Sequence, residues 1–519
     1  MKRIKFILGL SFSLLIVLVN GCIGQSSVNL DESEPAPNVV FILVDDLGWS
    51  DLGVQGNAYY PTPAIDALAA GGLRFTDAYA PAPVCSPSRA AIMSGQHPAR
   101  LGITDFIPGH WRPYEQLRVP TNRTQYLPTE QLTYGEALQA AGYTTAYFGK
   151  WHLGWAPEQH PSQQGFDTSG VQGGWGHFFP VNHFIPQFPV DSGAYLADVL
   201  TDRTLDFISD HQDSSFLAVL SHFGVHVPLE APDSLIQEAA AIERPDDRVF
   251  HPTYVAMIRS IDHNVQRVVD HLDSLGIRDN TLIIFTSDNG GLRQIFDRRN
   301  DEIVTDNAPL RDEKGSLYEG GIRVPFILNW PGSIAPGISK EPITGLDIYP
   351  TLLELAGASS PPAEQNPSHS QNPSASEETR GSTSPGNEQA ATKNNGLIYS
   401  NDSRLDGHSL VPLWNGAATL EREALYFHYP HYHHSRPAAV IRRGDYKLIH
   451  FFDQAEVELY NLAEDLGETE NLSGQEPAIS QELEELLSSW LREVGADLPT
   501  ENPDFDPERR AEWGRHPGR

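Results

Sequence analysis

Two hydrophobic patterns alternate along the first two thirds of the chain. Continuous apolar runs predict strands that are buried on both faces, and apolar residues at helical spacing predict helices between them. The strand runs are 38–44, 143–148, 216–220, 281–286 and 324–328. The helix patterns are 63–71, 133–142 and 254–276, with Thr133 to Glu136 resembling a capping box. Strands that alternate with helices predict a doubly wound α/β domain.

Polar residues follow two of these strand runs. Asp45 and Asp46 come after the first run, and Asp288 and Asn289 come after run 281–286. Ligands of such folds bind at the carboxyl ends of strands. Oxygen ligands without His or Cys suit Ca²⁺ or Mg²⁺ rather than zinc. Taken separately, the first pair also reads as a helix cap and the second as a turn.

The remainder of the chain predicts a second, smaller unit. Residues 359–396 are rich in Ser, Pro, Asn, Gln and Glu, which predicts a disordered segment between a large α/β domain at 38–358 and a C-terminal domain at 397–519. Strand patterns at 438–441, 446–452 and 457–462 precede a helix pattern at 479–494. The predicted fold is therefore α/β, with a large doubly wound mixed sheet flanked by helices and a C-terminal α+β domain with an antiparallel sheet.

The N-terminus resembles an export signal. Lys2, Arg3 and Lys5 precede an apolar stretch at 6–19 that is too short for a lasting membrane span. The sequence 18–22 resembles a bacterial lipobox, which predicts a signal peptide at 1–21, lipidation of Cys22 and a polar tether at 22–37. An ordinary cleaved signal with a chance cysteine is the alternative. We expect an exported, membrane-anchored lipoprotein that faces the periplasm or the cell surface.

Composition narrows the function classes. The formal net charge is −32 over 519 residues, which argues against a nucleic-acid partner because such partners require a basic face. The two cysteines, Cys22 and Cys85, exclude a disulfide scaffold and a zinc site built from several thiolates. Each cysteine therefore needs its own explanation.

Cys85 opens the motif Cys-x-Pro-x-Arg, which ends at Arg89 and is followed by Ser94-Gly95. A lone cysteine is most often a small buried apolar side chain. Arg89 could instead lower the pKa of the thiol and create a nucleophile. The residues of this motif alone do not decide between the two readings.

The motifs taken together resemble the formylglycine-dependent sulfatases, which are type I, arylsulfatase-like enzymes of the alkaline phosphatase superfamily. The motif at 85–95 is similar to the first signature of that family, and Gly142 to His152 is similar to the second. The resemblance runs from Asn38 through nearly the whole chain and includes segments 287–291, 314–325, 444–449 and 458–462. Its bacterial lipoprotein members fit the N-terminal pattern.

The resemblance implies a modified residue and a metal ion. A separate formylglycine-generating enzyme would convert Cys85 to formylglycine (3-oxoalanine), whose hydrate has two hydroxyl groups. One Ca²⁺ ion would be held by five positions: Asp45, Asp46, the modified Cys85, Asp288 and Asn289.

The resemblance also implies roles in sulfate ester hydrolysis. Arg89 and Lys150 would hold the hydrated aldehyde while one of its hydroxyls attacks sulfur, with Asp288 helping to remove the proton. His226 and Lys314 would protonate the leaving alcohol, and His152 would take the last proton as sulfate is expelled. We prefer His226 to His222 because the family has His-x-Pro at that point. Read alone, His152 fits a structural histidine and Lys314 a solvated lysine.

Two segments rich in His and aromatic residues, 173–183 and 427–436, are candidates for substrate recognition. Aromatic rings and polar tips suit sugar faces and hydroxyls, which makes His177, His431 and Arg436 candidate substrate-binding residues. Core aromatics with surface histidines are the alternative, and a histidine cluster can also bind stray metal.

The sequence therefore predicts a sulfuric ester hydrolase that acts on sulfated carbohydrate or polysaccharide fragments. One alternative is a phosphomonoester or phosphonate monoester hydrolase of the same superfamily. A second alternative is a non-catalytic protein that binds sulfated glycan. The intact Cys-x-Pro-x-Arg motif argues against the second alternative, because a binder has no need of a modification signal.

Overall fold

The computed structural model describes residues 36–172, 176–178, 184–243, 249–297, 300–358, 404–515 and 517. The predicted signal peptide 1–21, Cys22, most of the tether and the low-complexity segment 359–396 lie outside the described residues. The predicted domain boundaries therefore stay a prediction. Among the described residues, no helix has the length and apolar character needed to cross a membrane.

Most of the strand and helix patterns in the sequence correspond to observed elements. The strands are β1 Asn38–Val44, β2 Leu73–Phe75, β3 Ala78–Tyr79, β4 Leu117–Arg118, β5 Thr144–Gly149, β6 Thr168–Gln172, β7 Phe184–Ile185, β8 Phe216–Ser221, β9 Thr281–Ser287, β10 Gln294–Asp297, β11 Asn300–Ile303, β12 Phe326–Asn329, β13 Gly337–Ser339, β14 Ile343–Thr344, β15 Leu425–Tyr429, β16 Ala438–Arg443, β17 Tyr446–Phe451, β18 Glu456–Asn461 and β19 Thr500–Glu501. The helices are α1 Pro63–Ala70, α2 Cys85–Ser94, α3 Pro98–Leu101, α4 Tyr134–Ala140, α5 Leu196–Asp210, α6 Asp233–Ala240, α7 Pro252–Ser274, α8 Glu319–Ile322, α9 Ile348–Leu355, α10 Val411–Trp414 and α11 Pro477–Glu493.

A nine-stranded mixed sheet forms the centre of the large domain, in the order β13-β2-β12-β9-β1-β8-β5-β6-β7. The central strands β9, β1, β8, β5 and β6 are parallel. β12 runs antiparallel to both β9 and β2, which makes the sheet mixed. This architecture confirms the predicted fold class.

Both faces of the sheet are covered because successive side chains of a strand point to opposite faces. Val40, Ile42 and Val44 pack into one core with helices α1, α5 and α7. Val39 and Phe41 pack into the other core with α2, α4 and α9. The predicted capping box at the start of α4 is present, since the Thr133 hydroxyl accepts from the backbone N–H of Glu136.

The C-terminal part forms a four-stranded antiparallel sheet, in the order β15-β16-β17-β18. Helix α11 covers one face through Leu483, Leu487 and Leu491. The other face packs against the large domain, where Tyr79 and Phe427 belong to one apolar cluster. This contact places the C-terminal sheet beside the carboxyl end of the central strands, where the polar residues gather.

Candidate active site

The polar residues that follow β1 and β9 lie together. The two strands pair in parallel with their last residues opposite each other, so both chains leave the sheet at the same edge. The backbone N–H of Asp46 donates to Asp288 Oδ1 at 3.3 Å, and Asn289 Nδ2 donates to Asp46 Oδ1 at 2.8 Å. Asp45, Asp46, Asp288 and Asn289 are all buried. The strand ends thus bring these groups to one place, as the sequence pattern predicts.

Cys85 is the first residue of helix α2 and points into this group. Its Sγ lies 3.5 Å from Asp45 Oδ1 and 3.3 Å from Lys150 Nζ. Burial raises the pKa of the Cys85 thiol to about 12, although Lys150 and Lys314 act in the opposite direction. An unmodified Cys85 is therefore a neutral thiol near neutral pH, so the site does not favour a thiolate nucleophile.

Arg89, one helical turn after Cys85, holds the polar group from one side. Its Nε donates to Asp288 Oδ2 at 2.7 Å. Its Nη1 donates to the carbonyl of Lys150 and to Ser221 Oγ, both at 2.7 Å. Nη2 lies 3.8 Å from Asp45 Oδ1 and is buried without a hydrogen-bond partner. Arg89 therefore fixes Asp288 and keeps one donor group available in the site.

Two lysines pair with the two acids that follow β1. Lys150, just past β5, forms an ion pair with Asp45, and Lys314 Nζ lies 2.7 Å from Asp46 Oδ1. Burial alone would raise the pKa of Asp46, but Lys314 and then His226 more than offset it, and the pKa lies well below its usual value. Both lysines thus pair with buried carboxyl groups at the end of β1.

His152 has a defined proton arrangement. Its Nε2 lies 2.8 Å from the carbonyl oxygen of Ile107, which can only accept, so Nε2 carries the proton. Nδ1 is therefore unprotonated, and it is buried without a hydrogen-bond partner. Burial, followed by the charge of Lys150, holds the pKa of His152 well below its usual value. This neutral imidazole can accept a proton at Nδ1.

His226 has the complementary arrangement. Its Nδ1 lies 2.6 Å from the carbonyl oxygen of Val227, which places the proton on Nδ1. Its Nε2 lies 3.8 Å from Asp46 Oδ2. Burial, then Lys150 and Lys314, keeps the pKa of His226 well below its usual value. His222, the sequence alternative, is buried and does not line the cavity described below.

The donor set fits a hard divalent cation. Ligand atoms of Asp45, Asp46, Cys85 and His226 all lie within 4.8 Å of one another. Asn289 Oδ1 is buried and has no hydrogen-bond partner, which is the condition expected of a metal ligand. Burial, together with the nearby carboxylates of Asp45 and Asp46, raises the pKa of Asp288 to about 6 against the influence of Arg89. A cation would relieve that repulsion.

A cavity of about 630 Å³ opens above this group, with Cys85, His152, His226 and Lys314 among its lining residues. The other lining residues are Phe106, Gly109, His110, Trp111, Arg112, Val227, Leu292, Gln294, Ile295, His433, His434, Trp513 and Gly514. Four of the seven predicted catalytic residues thus line the cavity, whereas Arg89, Lys150 and Asp288 do not line it and belong to the buried polar group. The His-rich segment at 427–436 contributes His433 and His434 to the wall.

The three residues predicted to bind substrate do not line this cavity. His177 is buried and its Nε2 lies 2.8 Å from the carbonyl oxygen of His226. His431 is buried with its Nε2 2.8 Å from Thr104 Oγ1. Arg436 forms ion pairs with Asp453 and Glu456. The polar groups of His177, His431 and Arg436 therefore contact other residues of the protein. This placement does not favour the predicted contact of these three side chains with the substrate. Most of segment 173–183, including His183, lies outside the described residues.

Sequence reasoning missed several residues of the cavity wall. His110, Trp111 and Arg112 follow α3, and Trp513 comes from the C-terminal end of the chain. The sequence signal that could have found them is limited to the aromatic and basic composition around 106–112. Nothing in the sequence connects that stretch with Trp513.

The fold and the site define an enzyme with an α/β fold and a buried, charged active site, and family models identify its family. The sulfatase model matches residues 37–358, and the model described as N-sulphoglucosamine sulphohydrolase, C-terminal, matches residues 397–495. The chain therefore belongs to the sulfatase family, as its motifs indicate. It is a sulfuric ester hydrolase.

Relatives and solved structures agree with this family. The chain is 31% identical to human arylsulfatase A over 515 residues, which covers 87% of each chain. It is 29% identical to a sulfatase of Formosa agariphila, which covers 92% of each. The crystal structure of Ps i-CgsB in complex with k-i-k-neocarrahexaose superposes with a TM-score of 0.68 at 26% identity, and the match covers 91% of this chain and 94% of that one.

Proposed function

We propose that the protein is an exported sulfatase that hydrolyses sulfate esters of carbohydrates, with residue 85 converted to formylglycine and one bound Ca²⁺ ion. One observation carries the proposal. Cys85 begins a buried helix with its Sγ between the Asp45 carboxylate and the Lys150 ammonium, beside a cavity large enough for a substrate. Its raised pKa makes the unmodified thiol a poor nucleophile.

The formylglycine would supply a hydroxyl group of its hydrate as the nucleophile. The chain's own residues prepare for that role. Lys150 Nζ already donates toward the Sγ of residue 85, and Asp45 Oδ1 accepts from it. A polar group at residue 85 would thus meet one donor and one acceptor without rearrangement. The neighbouring Arg89 would keep this arrangement rigid through its bonds to Asp288 and the Lys150 carbonyl.

The Ca²⁺ ion would supply positive charge to the sulfate oxygens. Asp45, Asp46, Asp288 and Asn289, together with the modified residue 85, are the proposed ligands. Carboxylate and amide oxygens suit Ca²⁺, and the unpartnered Oδ1 of Asn289 supports this set. Lys150 and Lys314 add positive charge beside the same carboxylates, which favours an anionic substrate.

Proton movement can be assigned to side chains that line the cavity. We assign the protonation of the leaving alcohol to Lys314 with His226, since both lie beside Asp46 and line the cavity. Lys314 would supply the proton, because His226 holds its own proton at Nδ1 against the Val227 carbonyl. We assign His152 to removal of the proton from the second hydroxyl, because its Nδ1 is unprotonated. Asp288 would assist the first deprotonation. Positioned acid and base groups of this kind contribute about 10²- to 10⁴-fold to rate.

A sulfated carbohydrate is the proposed substrate class. The cavity of about 630 Å³ falls in the range that holds drug-sized ligands, well beyond what a sulfate ion alone requires. The solved structure bound to k-i-k-neocarrahexaose and the 33% identical mouse N-acetylgalactosamine-6-sulfatase support a sugar substrate. That mouse relative matches over 63% of each chain.

Maturation and location follow from the sequence motifs. The Cys-x-Pro-x-Arg motif would be recognised by a formylglycine-generating enzyme as a partner in maturation. The N-terminal pattern supports export, lipidation of Cys22 and anchoring at a membrane surface. Labelling with radioactive palmitate in a bacterial host should mark the wild type and not Cys22→Ala; equal labelling of the two would contradict the anchor.

Parallel assays on 4-nitrophenyl sulfate and 4-nitrophenyl phosphate test the function. We expect faster turnover of the sulfate, and release of sulfate from members of a panel of sulfated saccharides. Cys85→Ser is the matched control, since its hydroxyl can become sulfated but cannot expel sulfate to regenerate an aldehyde. Faster turnover of the phosphate would favour a phosphomonoesterase. Full activity of Cys85→Ser would contradict the role of residue 85.

A further inference from the structure

The C-terminal segment, defined here as residues 500–515, forms part of the wall of the cavity that contains Cys85. Its strand β19 pairs antiparallel with β4. Asn502 Nδ2 donates to the carbonyls of Pro113 and Glu115 at 2.8 and 2.7 Å. The backbone N–H of Gly514 donates to the carbonyl of Trp111 at 2.8 Å. Hydrogen bonds at both ends thus hold the C-terminal segment along residues 111–118.

This anchoring puts Trp513 at the cavity, where its ring is oriented by two other lining residues. The guanidinium carbon of Arg112 lies 4.1 Å from the ring centroid. The His110 ring lies 4.8 Å away at an interplanar angle of 39°. Trp513 nevertheless stays 51% exposed. A large aromatic ring that is held in place but left open at the edge of a catalytic cavity fits contact with a ligand.

Trp513 continues a row of rings that begins deeper in the cavity. Phe106 and His110 are 4.4 Å apart, and His110 and His433 are also 4.4 Å apart. The imidazole of His110 is neutral near neutral pH, because burial lowers its pKa to about 4. The wall between buried Cys85 and exposed Trp513 is therefore built from uncharged ring surfaces beside the cation of Arg112.

We propose that Trp513 stacks on the sugar ring of the substrate and that the C-terminal segment in this way selects the saccharide. A sugar ring has an apolar C–H face that suits an indole, and its hydroxyl edge would meet Arg112 and His433. This inference rests on the proposed function. The two matched family models cover residues 37–358 and 397–495, so the C-terminal segment lies outside both. Trp513 would thus give this chain a selectivity among saccharides that depends on a residue outside both family models.

A purely structural role for Trp513 makes a different prediction. If the indole only anchors the C-terminal segment through Arg112, its loss lowers thermal stability and leaves substrate affinity unchanged. If it stacks on the sugar, its loss raises KM for a saccharide and leaves affinity for free sulfate unchanged. Inorganic sulfate has no sugar ring to stack on the indole, so its inhibition constant should not depend on stacking by Trp513.

The test compares full-length wild type, Trp513→Ala, Trp513→Phe and Phe505→Ala. Phe505 is a matched control because it belongs to the same segment, is 44% exposed and does not line the cavity. The substrate is whichever galactose, glucose or N-acetylhexosamine monosulfate the wild type hydrolyses fastest. Inorganic sulfate is the competing probe, and circular dichroism checks the fold.

We expect Trp513→Ala to lose about tenfold in kcat/KM, mainly through KM, with the inhibition constant of inorganic sulfate within about twofold of wild type. Trp513→Phe should recover most of that loss, and Phe505→Ala should match the wild type. A saccharide kcat/KM for Trp513→Ala within twofold of wild type would overturn the inference and leave the proposed function intact. A wild type that hydrolyses none of the saccharides would refute the proposed function and this inference with it.

Discussion

Replacing Lys447 with Met is expected to destabilise the contact between the C-terminal sheet and the large domain. The Lys447 ammonium, on β17, lies 2.8 Å from Glu319 Oε1 and 2.8 Å from Glu468 Oε1. Glu319 is the first residue of α8 in the large domain, and its second oxygen pairs with Arg323 at 2.6 Å. All of these side chains are buried. The substitution would leave Glu468 without an ion-pair partner beside another carboxylate.

The magnitude follows from that burial. Removing one partner of a buried ion pair costs about 3–5 kcal/mol. Glu468 can avoid part of this cost by taking up a proton, because burial and the nearby Glu319 raise its pKa to about 7 despite the opposing effect of Lys447. We therefore expect a loss of ~3 kcal/mol at pH 8 and a smaller loss at pH 6.

Urea unfolding followed by tryptophan fluorescence at the two pH values measures this effect. Lys340→Met is the matched control because Lys340 is exposed, and its loss should cost less than ~0.5 kcal/mol. The double variant Lys447→Met/Glu468→Gln should recover stability, since the uncompensated charge is gone. A Lys447→Met protein within ~1 kcal/mol of wild type at pH 8 would refute the reasoning.

Three further predictions concern the same buried charges and the site. Since folding raises the pKa of Glu468 from 4.5 to about 7, the stabilising contribution of Glu468 is complete below pH 4.5 and is lost as pH rises through 7. Glu468→Gln should therefore flatten the fall in Tm between pH 5 and 8. An unchanged pH profile of Tm in this variant would contradict the prediction. Ca²⁺ added to EDTA-treated protein should raise Tm by several degrees and do so less in Asn289→Ala, whereas equal shifts in both would argue against Asn289 as a ligand. His226→Ala should lower kcat by about 10²- to 10⁴-fold with an unchanged circular dichroism spectrum, while His222→Ala keeps kcat within about fivefold; equal losses would argue against the assigned role.

The sequence pattern predicts the elements that bring the acids together. The strands β1 and β9 contain uninterrupted apolar runs, at 39–44 and 282–285, because both strands are buried on both faces. Such a run can be recognised in the sequence without knowledge of the tertiary packing. The positions of Asp45 and Asp288 at the strand ends could therefore be predicted from the sequence alone. Their proximity then followed from one rule, that parallel strands end at the same edge of a sheet.

Helix α2 was not predicted as a helix, for a physical reason. Every residue from Cys85 to Ser94 is buried, including Ser88 and Arg89. A helix that is buried all round has no polar face, so it shows no amphipathic period in its sequence. Motif resemblance, and not periodicity, singled out Cys85.

The residues of the cavity wall could not be predicted from the sequence, because tertiary contacts decide which side chains line the cavity. His431 and His433 are two residues apart, yet His431 bonds to Thr104 while His433 lines the cavity. Composition cannot say which ring of such a cluster faces inward. Trp513 reaches the site only through the hydrogen bonds of the C-terminal segment to residues 111–118, which leave no local pattern.

The central claim is that residue 85 is converted to formylglycine and does the chemistry of sulfate ester hydrolysis. Mass spectrometry of the peptide that contains residue 85, from protein purified from its native host, tests this most directly. Conversion to formylglycine would give a peptide about 18 Da lighter than the one with an unmodified cysteine. An active protein whose peptide carries only the intact Cys85 thiol would contradict it.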